Sequence, residues 1–153
     1  GLIIRKVGYG TADSLLGLAM TDVQRDEALR HGSELVLGLP GNVLLLGEMG
    51  IANTSSAAAL LAALTQWPVE TCVGRGTGIS DAQFNLKLSL IEQALQRPYA
   101  KDPLSILAEF GGFEIILIFK FEFIIDFNSP GIPFLNREEV SGLIQCLQAF
   151  LLL

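Results

Sequence analysis

The sequence is short of cysteine, histidine and positive charge. Its 153 residues include two cysteines, one histidine and one tryptophan, and only 17% of them are charged. Cys72 and Cys146 lie far apart and form no Cys-x-x-Cys pair, so no disulfide framework is indicated and both read as buried thiols in a reducing compartment. A single histidine with no Cys/His cluster leaves no zinc ligand set. Ten Lys and Arg stand against sixteen Asp and Glu, a net charge of −6. The cationic footprint that a nucleic acid duplex demands is therefore missing. No apolar run reaches the roughly 20 residues that span a bilayer, and the first residues lack the charged-then-apolar pattern of a secretory signal. The expectation is a soluble, cytoplasmic chain with no membrane and no nucleic acid partner.

What the chain does hold is core material. Half of its residues are hydrophobic, which excludes intrinsic disorder, and the length matches one domain. Because it starts at Gly1, the chain reads as processed, tagged or cut from something longer. Glycine loops followed by helix-like stretches recur along it, the alternation expected of an α/β protein. Leu2 to Ile4 suggests a short strand entering Gly8-Tyr9-Gly10-Thr11. Thr21-Asp22-Val23-Gln24 is a capping box that predicts a helix from Asp22 to Leu37. Val43 to Gly47 reads as a buried strand, and the alanine-rich run after Thr54 as a helix. Val69 to Val73 is a second strand candidate after Pro68. Ser80-Asp81-Ala82-Gln83 is another capping box, followed by Phe84, Leu88, Ile91 and Leu95 on one helix face. Asp102-Pro103 predicts a helix start and Gly111-Gly112 its stop. Six of the nine phenylalanines fall between Phe110 and Phe127, where Phe119, Phe121 and Phe123 alternate as in a strand.

Two loops are candidates for chemistry. In the first, Gly47-Glu48-Met49-Gly50-Ile51-Ala52-Asn53-Thr54-Ser55-Ser56, glycines let backbone approach a ligand, and the free amides of the following helix favour a phosphate. Thr54, Ser55 and Ser56 add hydroxyl donors, and Glu48 stands at the carboxyl end of a predicted strand. A plain strand-helix turn fits the same residues. The second loop, Gly74-Arg75-Gly76-Thr77-Gly78, leads to a helix carrying Lys87 about 10 Å beyond its cap. That lysine is either solvated or returns to an anion held between the loops. Neither loop is a P-loop or a dinucleotide fingerprint, because the required Gly-Lys-Ser/Thr and final glycine are missing. His31 lies in a polar stretch and reads as a surface residue. No Gly-x-Ser-x-Gly elbow supports a serine hydrolase.

At these residues the sequence resembles the nicotinate-nucleotide–dimethylbenzimidazole phosphoribosyltransferases of cobalamin lower-ligand assembly. The matching segments are Gly10-Thr11-Ala12-Asp13 with Ala19-Met20-Thr21, Gly47 to Thr54, Gly74 to Gly78, Lys87, and Gly111-Gly112-Phe113-Glu114-Ile115. They cover about residues 3 to 115 in order and in register.

The resemblance implies a Rossmann-like α/β fold, a mostly parallel sheet flanked by helices, as a single nucleotide-binding domain within a longer family chain. It implies transfer of phosphoribose from nicotinate mononucleotide to 5,6-dimethylbenzimidazole, without cofactor or metal, in a homo-oligomer. Glu48 would face the ribose and stabilise the developing oxocarbenium charge. Gly50, Asn53 and the amides entering the Thr54 helix would hold the nucleotide, with Gly76, Thr77 and Lys87 completing its pocket. The family's general base, a glutamate in a late Gly-Glu-Gly-Thr/Ser-Gly motif, has no counterpart in the sequence. A nucleotide-binding or interaction module without catalysis is the alternative. Residues 116–153 depart from the family pattern.

Overall fold

The computed structural model describes residues 4–40 and 51–118. These residues build five helices in chain order: α1 (Asp22–Leu37), α2 (Asn53–Thr65), α3 (Val69–Cys72), α4 (Asp81–Gln96) and α5 (Pro103–Phe110). Residues 113–118 are helical as well. The expected Rossmann-like α/β architecture is corrected here, because no strand occurs among the described residues. The strand candidate Val69 to Val73 is a helical turn. Thr71 donates both its amide, at 3.0 Å, and its hydroxyl, at 2.7 Å, to the Pro68 carbonyl. The Val73 amide closes the turn on Val69 at 3.0 Å. So short an apolar run carries no periodicity that separates strand from helix. The candidates at Val43 to Gly47, at Phe119 to Phe123 and most of Leu2 to Ile4 lie outside the described residues.

Local chemistry sets the helix ends. Thr21 and Gln24 cap α1 reciprocally, as Ser80 and Gln83 cap α4. Each box satisfies amides that the first turn leaves without partners. Asp102 caps α5 by accepting the Ser105 amide at 3.0 Å, with Pro103 next. This bond holds the Asp102 carboxyl below its usual range. The cap therefore contributes fully above the unfolded-state value and is lost as pH falls through the lower folded one. Asp102→Ala is expected to cost about 1 kcal/mol at neutral pH by urea denaturation, a loss that shrinks in acid. At the far end α5 stops at Gly111, whose amide donates to the Leu107 carbonyl at 2.9 Å. A Cβ at Gly111 would collide with that same carbonyl oxygen.

The core is organised around α2, which packs against α3, α4 and α5, while α1 leans on α5. Ala57 through Ala63 are buried on every side of the helix, as expected of a helix without a polar face. The alanines allow close approach, and bulk comes from Leu60, Ile106, Leu107, Phe110, Ile115 and Ile116. The segment before α1 is tied to the end of α5, with Ala19 and Met20 amides donating to Glu109 and Ala108 carbonyls at 3.2 and 3.0 Å. These bonds satisfy acceptors that the helix end leaves open. On α1, Arg25 is buried and donates to the Leu104 carbonyl at 3.2 Å while paired with Asp22 and Asp26. His31, expected on the surface, is partly buried beside Glu34. No helix among the described residues is long and apolar enough to cross a membrane.

Candidate functional site

The two glycine-loop regions meet at α4. Lys87, in the middle of that helix, donates from Nζ to Thr54 Oγ1 and to the Gly74 carbonyl, each at 2.8 Å. Thr54 belongs to the first turn of α2 and is buried. Gly74 opens the loop that runs into α4. One ammonium thus joins the start of α2 to the glycine loop across 33 and 13 residues of sequence. Both acceptors are neutral, and no carboxylate among the described residues pairs with Lys87. Burial pushes the Lys87 pKa down. An ammonium has three donors, so one remains for a ligand beyond these two acceptors.

Residues with positive φ stand just before α2 and in the second loop. α2 begins after Ala52, which has φ +69° and supplies no side-chain cap. A left-handed alanine is uncommon, and such strain concentrates at functional positions. In the second loop Gly76 and Gly78 take φ of +59° and +97°, which only glycine adopts without cost. Arg75 holds this loop by donating to the Ile79 carbonyl at 3.0 Å and pairing with Asp81 at 2.5 Å.

Beside Lys87 lies an open cleft of about 320 Å³. Ser55, Ser56 and Ala59 of α2 line it on one side, and Gln83, Leu86, Lys87, Leu90, Ile91 and Ala94 of α4 on another. Ile79 and Ser14 line it as well. The cleft combines three hydroxyls and an ammonium with an apolar wall. Such a mixture accepts a ligand with an anionic or hydroxylated part and an apolar part.

Of the residues expected at the site, the structure brings Thr54 and Lys87 together. Asn53 is the first residue of α2, half-buried beside Thr54. Gly76, half-buried, and Thr77, exposed, lie in the turn before α4. Glu48 and Gly50 lie outside the described residues.

Residues 2–122 match the family model described as "Phosphoribosyltransferase". The chain belongs to this phosphoribosyltransferase family. Among curated relatives, the nicotinate-nucleotide–dimethylbenzimidazole phosphoribosyltransferase of Variovorax paradoxus is 47% identical over 116 residues, covering 75% of this chain and 33% of the relative. The enzyme of that name from Photobacterium profundum is 50% identical over 122 residues, covering 76% and 36%. The crystal structure of CobT from Thermus thermophilus aligns with a TM-score of 0.75 at 34% identity, over 97% of this chain and 46% of that one. The chain spans about a third of the length of the curated relatives it matches. The sequence points to Ser55 and Ser56 as hydroxyl donors, and both line the cleft. It missed Ser14, Leu86 and Leu90, and gave Gln83 only a capping role. No motif marks Ser14, Leu86 or Leu90, because chain folding alone assembles them.

Proposed function

We propose that this chain is the nucleotide-binding part of an enzyme that transfers phosphoribose from nicotinate mononucleotide to 5,6-dimethylbenzimidazole, a step of cobalamin biosynthesis. The observation carrying this reading is the Lys87 clasp between α2 and the glycine loop, in a chain of this family. In the reaction the bond from ribose C1′ to the pyridine nitrogen breaks, and its electron pair returns to the ring, releasing nicotinate. A benzimidazole nitrogen donates its pair to C1′, and loss of the ring N–H proton gives α-ribazole 5′-phosphate. Positive charge builds on the ribose between these events, and a carboxylate at Glu48 stabilises it electrostatically. Gly50, Asn53 and Thr54 hold the nucleotide, together with Gly76, Thr77 and Lys87. Residues 1–153 act as one nucleotide-binding unit in a cytoplasmic homo-oligomer. The lone cysteines support that location, and the apolar end of the sequence supports assembly.

The sequence contains no Gly-Glu-Gly-Thr/Ser-Gly motif to supply the base. That observation favours a second reading, a module that binds the nucleotide without turnover. Incubation with both substrates and chromatography for nicotinate and α-ribazole 5′-phosphate separates the two. The transfer reading expects both products, with Glu48→Gln lowering the rate by about 100-fold or more. Stabilisation by nicotinate mononucleotide without product supports the module. Unchanged melting at millimolar nucleotide overturns both, since a ligand that binds the folded state must raise its stability.

A further inference from the structure

Among the described residues, Ser14 is the one lining the cleft that comes from neither α2, α4 nor the loop entering α4. It belongs to the turn 13–17, where the Leu16 and Gly17 amides donate to the Asp13 carbonyl at 3.0 and 3.2 Å. Asp13 Oδ1 also accepts the Leu15 amide at 2.9 Å. The turn's outward carbonyls are taken by Arg97, which ends α4. Arg97 Nε donates to the Ser14 carbonyl at 3.0 Å, and Nη2 to the Gly17 carbonyl at 3.0 Å. Nη2 also pairs at 2.8 Å with Glu109, whose side chain is 10% exposed. One planar fork thus grips two carbonyls of the turn and is itself held by a buried carboxylate. A lysine offers no such fork.

We infer that Arg97 is a positioning residue for the ligand cleft: its guanidinium fixes the turn 13–17 so that Ser14 forms the cleft wall. This rests on the reading of the cleft as the nucleotide site. Arg97 acts through the Ser14 backbone and touches no ligand itself. Binding to a cleft lined by a loose turn must include the cost of ordering that turn, which weakens affinity.

The test is a double-mutant cycle of Arg97→Gln and Ser14→Ala, with nicotinate mononucleotide affinity measured by calorimetry well below the melting temperature of each variant. Arg97→Gln is expected to weaken binding about tenfold, the scale of lost charged hydrogen bonds. Ser14→Ala is expected to weaken binding in the wild-type background and to add nothing in the Arg97→Gln background. Additive losses, or unchanged affinity in folded Arg97→Gln, overturn the inference as a merely structural role would. Arg97→Lys, which keeps the charge and loses the fork, gives the same cycle where Arg97→Gln does not fold. Hydrogen exchange separates the two levels of the proposal, since the Leu16 and Gly17 amides should exchange faster without Arg97 whether or not ligand is present. Equal exchange sinks the inference alone. Absence of binding in the wild type sinks the proposed function and the ligand half of this inference with it.

Discussion

Lys87→Met is expected to remove most of the stabilisation by nicotinate mononucleotide while leaving the melting temperature of the free protein nearly unchanged. The two halves have different causes. Lys87 is a partly buried ammonium with two neutral partners, so its charge gains nothing from a carboxylate among the described residues. Burial disfavours that charge and lowers the pKa. Methionine keeps the hydrophobic stem and removes this desolvation penalty, which offsets the two lost hydrogen bonds. The ligand, in contrast, loses a cation that lines the cleft, and charge-assisted hydrogen bonds to an anion are worth enough to predict at least about a tenfold fall in affinity. Thermal shift against nucleotide concentration reads both quantities. A variant that melts as the wild type does and still gains the full shift would show that Lys87 is a structural clasp only.

The same lysine sets a pH dependence. Its folded pKa lies below the unfolded value, so the unfolded state binds more protons between the two. Stability contributed at this position therefore rises with pH across that window, as the buried charge is discharged. Anion affinity runs the other way. Bound phosphate favours the protonated lysine, so affinity falls as pH rises through the folded pKa, below the ordinary lysine range.

What was legible in the sequence is what depends on residues close together. The capping pairs Thr21 with Gln24 and Ser80 with Gln83 bond within four residues, and so does Asp102 with Ser105. Each defined a helix start that the structure reproduces. Val69 to Val73 was illegible because strand and helical turn differ there only in the bonds made to Pro68 and Val69. Packing against α2 and α4 supports the helical choice. Lys87 lies between these cases: the sequence leaves it either solvated or reaching an anion held between the loops. The structure places its ammonium on Thr54, 33 residues away, a partner that the sequence does not name. Arg97 gave no signal at all. Its carbonyl partners are 83 and 80 residues distant and expose no side-chain chemistry to a sequence pattern.

Phe110→Ala should be the most damaging single change to the fold. Phe110 is 1% exposed and is among the largest fully buried side chains. It ends α5, the helix that contacts both α1 and α2. Its ring meets Tyr99 edge-on, at 4.9 Å between centroids and 89° between planes. Truncating a buried phenylalanine costs about 3–5 kcal/mol, because transfer energy is lost and a cavity remains. The edge-to-face contact places the value toward the upper end, being worth about 0.5–1.5 kcal/mol beyond buried area. Relaxation into the space is restricted. Next in sequence, Gly111 already sits against the Leu107 carbonyl, and Ile115 and Ile116 behind it are fully buried. Since domains hold only about 5–15 kcal/mol of net stability, the loss takes a third or more of it. Urea denaturation should show a lower midpoint at unchanged slope. Phe110→Leu, which refills most of the volume, should recover the larger part. A loss below about 1 kcal/mol in Phe110→Ala would mean that the α5 end is not packed as described.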